Sequence, residues 1–377
     1  MQEESGAGVG RAAKPPIGPR HAPRENVEPQ IELTEPECAS GGASECCREN
    51  AHIFAALDLG SNNCRLLIAK PAADGFEVLD SFSRIVRLAE GVQASGRLSE
   101  AAMARSVVAL RVCAERMRGL GVTVARAVAT EACRKAVNGG TFLDRVRREA
   151  GLCLDIIDSA EEARLAVLGC APLFDPSHRH ALLFDIGGGS TELAWLSLAA
   201  GVPPAPAASA SLPIGVVGLA ERWGGAEVTD DIYAAMIAAV AAEIEPFERA
   251  HGLRARFADH PVQLLGTSGT VTTVAGVHFD LARYDRNVVD GVWLDFDAVK
   301  AAATRLRRMS YQERAAHPCI GRARADLVIA GCAIVEAVHQ VWPADRLRVA
   351  DRGVREGVLQ GLLLAVRAGQ CPAPALL

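Results

Sequence analysis

The chain has 377 residues, of which 50% are hydrophobic and 23% charged. That is enough apolar material for two domains with a substantial core, in proportions ordinary for a globular enzyme. A formal net charge of −5 provides no general attraction to nucleic acid or to an anionic membrane, so neither is expected as a partner, and local groups must hold any anionic substrate.

Residues 1–50 are rich in Pro, Gly, Glu and Ser and lack an apolar signal segment, which predicts a disordered leader. No apolar run reaches the length that spans a bilayer. Eleven cysteines, odd in number and without a CxxC pair, predict reduced and mostly buried thiols in a cytoplasmic protein. The only lysines are Lys14, Lys70, Lys135 and Lys300. None follows a glycine, which excludes a P-loop of the GxxxxGK[ST] kind.

From His52 onward, Phe54 to Asp58, Arg65 to Ala69 and Phe76 to Phe82 read as three consecutive strands. Ser99 caps a helix to about Leu120, Val122 to Ala129 is a strand, and Thr141 to Ala150 is helical. A strand over Leu152 to Ile157 precedes a helix capped by Ser159 and ending near Cys170. Ala181 to Asp185, Thr191 to Leu196 and Ala208 to Pro213 then form a second trio of strands. A helix from Thr229 to Ala250, a strand over Val262 to Leu265 and a helix from Val271 follow. The last elements are a helix over Ala325 to Val341, a strand over Leu347 to Ala350 and a helix over Gly353 to Ala365. The sum is an α/β chain in which one scheme, meander first and helix–strand alternation second, occurs twice.

Both trios contain the same device. Asp58-Leu-Gly-Ser-Asn-Asn-Cys-Arg65 and Asp185-Ile-Gly-Gly-Gly-Ser-Thr-Glu192 each place an aspartate at a strand end, then a glycine turn, then a second strand. Glycine leaves no Cβ between backbone and ligand, so successive N–H groups can converge on an anion. Gly60, Ser61, Asn62 and Asn63 in the first turn, and Gly187, Gly188, Gly189, Ser190 and Thr191 in the second, are therefore candidate phosphate ligands. Arg65 adds a cation to the first turn. Asp58 and Asp185 suit Mg²⁺ or another divalent cation, held through waters; a turn aspartate bonding its own backbone is the plainer alternative. Arg134 and Lys135 are either a phosphate clamp or a solvated basic pair.

Seven segments in register resemble the exopolyphosphatase and guanosine pentaphosphate phosphatase family of the actin-like ATPase superfamily. They are Asp58–Asn62, Ala129-Thr-Glu-Ala-Cys-Arg134, Glu161–Leu165, Asp185–Glu192, Leu212–Gly215, Gly266–Thr270 and Arg352-Gly-Val-Arg-Glu-Gly357. The resemblance implies two ribonuclease-H-like domains with an interdomain cleft, over 51–129 and 130–351, with the helix of 352–370 packing back on the first. It implies that Glu131 is the general base and that Glu162 positions metal or water. By the same token, Gly269 and Thr270 belong to a third turn near the phosphates. Inorganic polyphosphate is the implied substrate, hydrolysed at its terminal phosphoanhydride, with guanosine pentaphosphate as the alternative and a non-catalytic binder of either as a third reading. A homodimer is implied as well. Asn63 replaces a serine found in many members, turning one hydroxyl contact into an amide. The chain ends soon after the Arg-Glu-Gly helix and holds no His-Asp dipeptide, which matches the short form without a C-terminal helical extension.

Overall fold

β1, Phe54–Leu59, is apolar and buried along almost its whole length, as a strand covered on both faces must be. It pairs antiparallel with β2, Asn63–Ala72, which pairs with β3, Gly75–Ile85. The other side of β1 carries β4, Val124–Ala129, and then β5, Asp155–Ile156, both parallel. Helices α1, Val92–Ser95, and α2, Glu100–Gly119, connect β3 to β4. α3, Glu131–Lys135, and α4, Gly139–Ala150, connect β4 to β5, and α5, Ser159–Cys170, leaves the sheet. This computed structural model describes residues 52–72, 75–199 and 201–370, so the leader expected over 1–50 lies outside the described residues.

The scheme then repeats. β6, His180–Ile186, β7, Thr191–Ser197, and β8, Pro206–Leu212, form a second antiparallel meander. Three helices follow: α6, Val216–Trp223, α7, Asp230–His251, and α8, Leu253–Asp259. β9, Val262–Thr267, runs parallel to β6. After it come α9, Gly269–His278, α10, Arg286–Val289, β10, Trp293–Asp295, α11, Phe296–Arg308, α12, Tyr311–Ala316, and α13, Val328–Val341. β11, Arg346–Ala350, lies parallel to β9 and antiparallel to β10, and α14, Val354–Arg367, closes the order. The two sheets run β3-β2-β1-β4-β5 and β10-β11-β9-β6-β7-β8. With the edge strand β10 set aside, the orders are the same. The fold is the expected pair of ribonuclease-H-like α/β units.

Three expectations change. β5 joins the first sheet, and Phe142, Val146 and Leu152 pack with β1 and α2, so the unit that opens at β1 continues past Ala129. The cap of α5 is Asp158, whose Oδ1 accepts from Glu161 N at 2.8 Å, rather than Ser159. Between 281 and 324 the structure contains α10, β10, α11 and α12, where the sequence reading assigns nothing.

α5 and α14 lie between the sheets. Their apolar faces share one core with Phe54 and Ala56 of the first sheet and with Ala181, Leu183 and Leu196 of the second. α14 packs on β1, β2 and β4 of the first sheet and on α5, and α5 packs in turn on β7 and β8 of the second. The two helices meet backbone to backbone: a Cβ on Gly357 would stand 1.9 Å from Leu165 O, and one on Gly169 would stand 1.9 Å from Gly353 O. Gly361, one turn further along α14, faces open space.

Gly357→Ala should therefore lower stability by roughly 1–3 kcal/mol through overpacking against a backbone that cannot yield. Gly361→Ala should raise it by about 0.5–1 kcal/mol through helix propensity. Thermal unfolding of both variants checks this, and equal midpoints would remove the helix contact as the determinant.

Candidate active site

The two glycine turns are built alike. Gly60 N donates to Asn63 O at 2.9 Å in the first, and Gly187 N donates to Ser190 O at 2.9 Å in the second. Each turn links a strand with an aspartate as its last residue but one to its antiparallel neighbour, with Asp58 opposite Arg65 and Asp185 opposite Glu192. The turns then meet face to face. A Cβ on Gly188 would lie 2.9 Å from Asn62 Cβ and 3.0 Å from Asn62 N. Only glycine lets the second turn approach the first this closely. The start of α6 holds the second turn from behind, with Val216 N and Val217 N donating to Gly187 O and Gly188 O at 3.1 and 2.8 Å.

A cavity with about 890 Å³ of empty space lies where the turns meet. Most of the residues expected from sequence line it: Asp58, Gly60, Ser61, Asn62, Asn63, Arg65, Glu162, Asp185, Gly187, Gly188, Ser190, Gly269 and Thr270. Ser268 and Thr273, from the third turn and the start of α9, complete that wall. Outward, the cavity shares Asp58, Arg65, Asp185 and Arg324 with a larger groove of about 2300 Å³, into which Arg84, Arg286, Arg352 and Arg355 also face.

Four expected residues stand elsewhere. Thr191 Oγ1 donates to Ile214 O at 2.7 Å and the residue is fully buried, so a backbone carbonyl beyond the end of β8 takes its hydroxyl. Arg134 donates to Ile157 O at 2.7 Å and to Glu162 Oε2 at 2.8 Å. It is the counter-ion of Glu162 and neither a phosphate clamp nor a solvated cation. Gly189 and Glu131 line an adjoining cavity of about 1080 Å³, walled by Val92, Ile214, Val217 and Trp223 among others. A Cβ on Gly189 would come within 1.7 Å of Glu131 Oε2. The carboxylate thus presses on the second turn, while Ser61 Oγ donates to it at 3.0 Å and Lys135 Nζ pairs with Oε1 at 2.5 Å. Glu131 lines the second cavity only, and Ser61, which lines the first, donates to its carboxylate.

Four carboxyl groups, Asp58, Glu162, Asp185 and Glu192, are concentrated in the first cavity. Burial, then the Glu192 carboxylate, pushes Glu162 up to about 8, against the pull of Arg134. Burial and Glu162 push Asp185 up to about 7, and burial with Asp185 pushes Glu192 up to about 7, although Ser190 and Ser211 hydroxyls donate to it. Burial raises Asp58 too, with Arg65 opposing. Glu192 and Arg324 escape the sequence reading. An acid in β7 directly before the apolar run Leu193–Leu196 is a signal for the first; nothing local marks the second. Among the described residues, neither Arg65 nor Arg324 has a hydrogen-bonded or ion-paired side-chain partner, and burial and Arg65 push Arg324 below its usual range.

No three His, Cys, Asp or Glu side chains among the described residues gather closely enough to cage a metal. The donors that exist are all oxygen, and Asn62 Oδ1 is buried without a hydrogen-bond partner. This set fits a hard divalent cation that keeps several of its waters. Among the described residues, cysteines 64, 113, 133, 153, 170, 319 and 332 are free, and no helix is long and apolar enough to cross a membrane.

Residues 67–366 match the Ppx/GppA phosphatase family. A Haemophilus influenzae protein provisionally named an exopolyphosphatase is 28% identical over 325 residues, covering 84% of this chain and 93% of its own. The Aquifex aeolicus Ppx/GppA family member superimposes with a TM-score of 0.68 at 29% identity, covering 83% of this chain and 98% of its own. An exopolyphosphatase from Cytophaga hutchinsonii has the same fold, with a TM-score of 0.75 at 24% identity over 85% of this chain and all of its own.

The buried acids give a pH dependence whose sign is fixed. Their folded carboxyls bind protons more tightly than unfolded ones, so stability is full below the ordinary carboxyl range near 4.5 and is lost as pH rises to about 8. In metal-free buffer the unfolding midpoint should fall between pH 5 and pH 8. Glu192→Gln should flatten that slope and stabilise the protein at pH 8 by about 1–3 kcal/mol. Calorimetry across that range checks both, and a midpoint that climbs with pH would contradict them.

Proposed function

Since the chain belongs to the Ppx/GppA phosphatase family, we propose that it is an exopolyphosphatase, removing orthophosphate one unit at a time from the end of inorganic polyphosphate. One observation carries this reading. The Glu131 carboxylate, fixed by Ser61 and Lys135, stands against the second glycine turn at the rim of an anion-ready cavity. The terminal phosphoryl group would seat between the turns, on backbone N–H groups and the side chains of Ser61, Asn62 and Asn63. Arg65 and Arg324 would offset the charge of that group and its neighbour, and the rest of the chain would lie along the arginine-rich groove.

Water reaches Glu131 from the second cavity, whose wall Glu131 forms, whereas the leaving chain occupies the groove on the other side. That arrangement suits in-line displacement. Glu131 accepts the proton as the water oxygen bonds to phosphorus, and the bridging P–O bond breaks with its electrons on the departing chain. Asp58, Asp185 and Glu162 would hold Mg²⁺ or another divalent cation through waters, and it would neutralise charge on the phosphate oxygens. Guanosine pentaphosphate is the second reading, favoured only by Tyr284, the one aromatic side chain among the groove's described lining residues. The free thiols accord with a cytoplasmic setting.

With Mg²⁺ and long-chain polyphosphate, Glu131→Gln should lower kcat by about 10²–10⁴-fold and leave polyphosphate binding intact. Phosphate release and titration calorimetry read the two quantities. Turnover of guanosine pentaphosphate alone would transfer the activity to the nucleotide. Binding of either ligand without turnover in the wild type would leave a binding protein.

A further inference from the structure

Arg87 is one of two non-glycine residues at positive φ among those described, with φ at 46°. Side chains disfavour that conformation, and it persists where the surroundings over-determine it. The surroundings here are specific. Arg87 N and Val86 N both donate to Asn62 O, at 3.0 and 2.8 Å, so the loop is fastened to the first glycine turn. Arg105 holds it from the outer side, donating to Val86 O at 3.0 Å.

The Arg87 side chain leaves this unit and crosses the cleft. Its Nη2 donates to Asp326 Oδ1 at 2.9 Å and to Ala323 O at 3.2 Å. Those two partners flank Arg324. The stretch 321–327 that carries them is a run of turns before α13, not a helix. Its own unit holds it through the buried Arg314, whose Nε donates to Ala325 O at 3.0 Å. Arg324 projects from this stretch into the phosphate cavity near Arg65, a like charge that repels it. The Arg87–Asp326 pair is two-thirds buried or more on each side, so solvent screens it less than an exposed pair.

We propose that Arg87 and Asp326 form a clasp across the cleft that positions Arg324, whose Nη1 lies against Gly269 of the third turn, so that Arg65 and Arg324 together grip one oligophosphate. Arg87 is a positioning residue, and Arg324 is the residue that touches the substrate. The inference rests on the phosphoanhydride reading above.

The test uses the full chain carrying Glu131→Gln, with Mg²⁺ and tripolyphosphate as the titrant. Arg87→Gly, which keeps the backbone conformation free of strain, should fold with an unchanged or higher unfolding midpoint and yet bind about tenfold more weakly. Arg324→Ala should weaken binding to a similar degree. The double variant should be no weaker than Arg324→Ala alone, because the clasp acts only through that residue. With Glu131 intact, Arg87→Gly should raise KM about tenfold and leave kcat within twofold, and Arg87→Lys should restore part of the loss. If the parent binds tripolyphosphate and Arg87→Gly binds equally well, or if the two losses add, the clasp is overturned and the phosphohydrolase reading stands. If the parent binds no tripolyphosphate, both fall together.

Discussion

The geometry of this protein depends on the distance at which α5 and α14 can pass each other between the two sheets. Backbone touches backbone at Gly169, Gly353 and Gly357, and that contact sets how near the strand ends of β1 and β6 come. Every cross-cleft contact inherits the spacing. Gly188 rests on Asn62, Gly189 rests on the Glu131 carboxylate, and Arg87 reaches Asp326. A packed interior does not deform continuously, so a methyl group between these helices would spread the turns as well as loosen the core.

The site formed at that spacing is electrostatically incomplete in two opposite senses. On one wall Asp58, Glu162, Asp185 and Glu192 are buried together and raise one another. On the other, Arg65 and Arg324 repel each other, and neither guanidinium has a hydrogen-bonded or ion-paired side-chain partner among the described residues, although Asp58 and Asp185 attract Arg65 and Asp351 attracts Arg324. Taking such charges out of water without partners costs free energy. On the proposed reading a phosphate chain would offset the guanidinium groups and a divalent cation the carboxylates. The paired arginines of the outer groove, Arg286 with Glu356 and Arg352 with Asp290, lack this tension and shape the wall instead.

Glu131 shows how a short element can fix a side chain. It opens a five-residue helix directly after β4, and strand pairing brings that strand end level with the end of β1. Its two oxygens are occupied by different partners, Ser61 from the first turn and Lys135 from its own helix. The carboxylate is thereby held against the second turn without the mobility of an exposed side chain.

The local parts of this machine are legible in the amino-acid order. A strand with Asp58 or Asp185 near its end, a glycine turn and a returning strand are short-range consequences of φ freedom and period-two burial, and the structure builds both as read. The capping of α2 by Ser99 is equally local. What tertiary structure alone decided is which side chains share a cavity. Thr191 and Ser190 are neighbours in sequence, yet one hydroxyl is turned into Ile214 O and the other to Glu192. Arg134 looks like a phosphate clamp until Glu162 arrives from α5. Arg324 and Arg87, 237 positions apart by their numbers in the chain, have no local mark at all. Turn chemistry is written within a few residues. Cavity walls are assembled from segments whose meeting depends on the packing of whole sheets and helices.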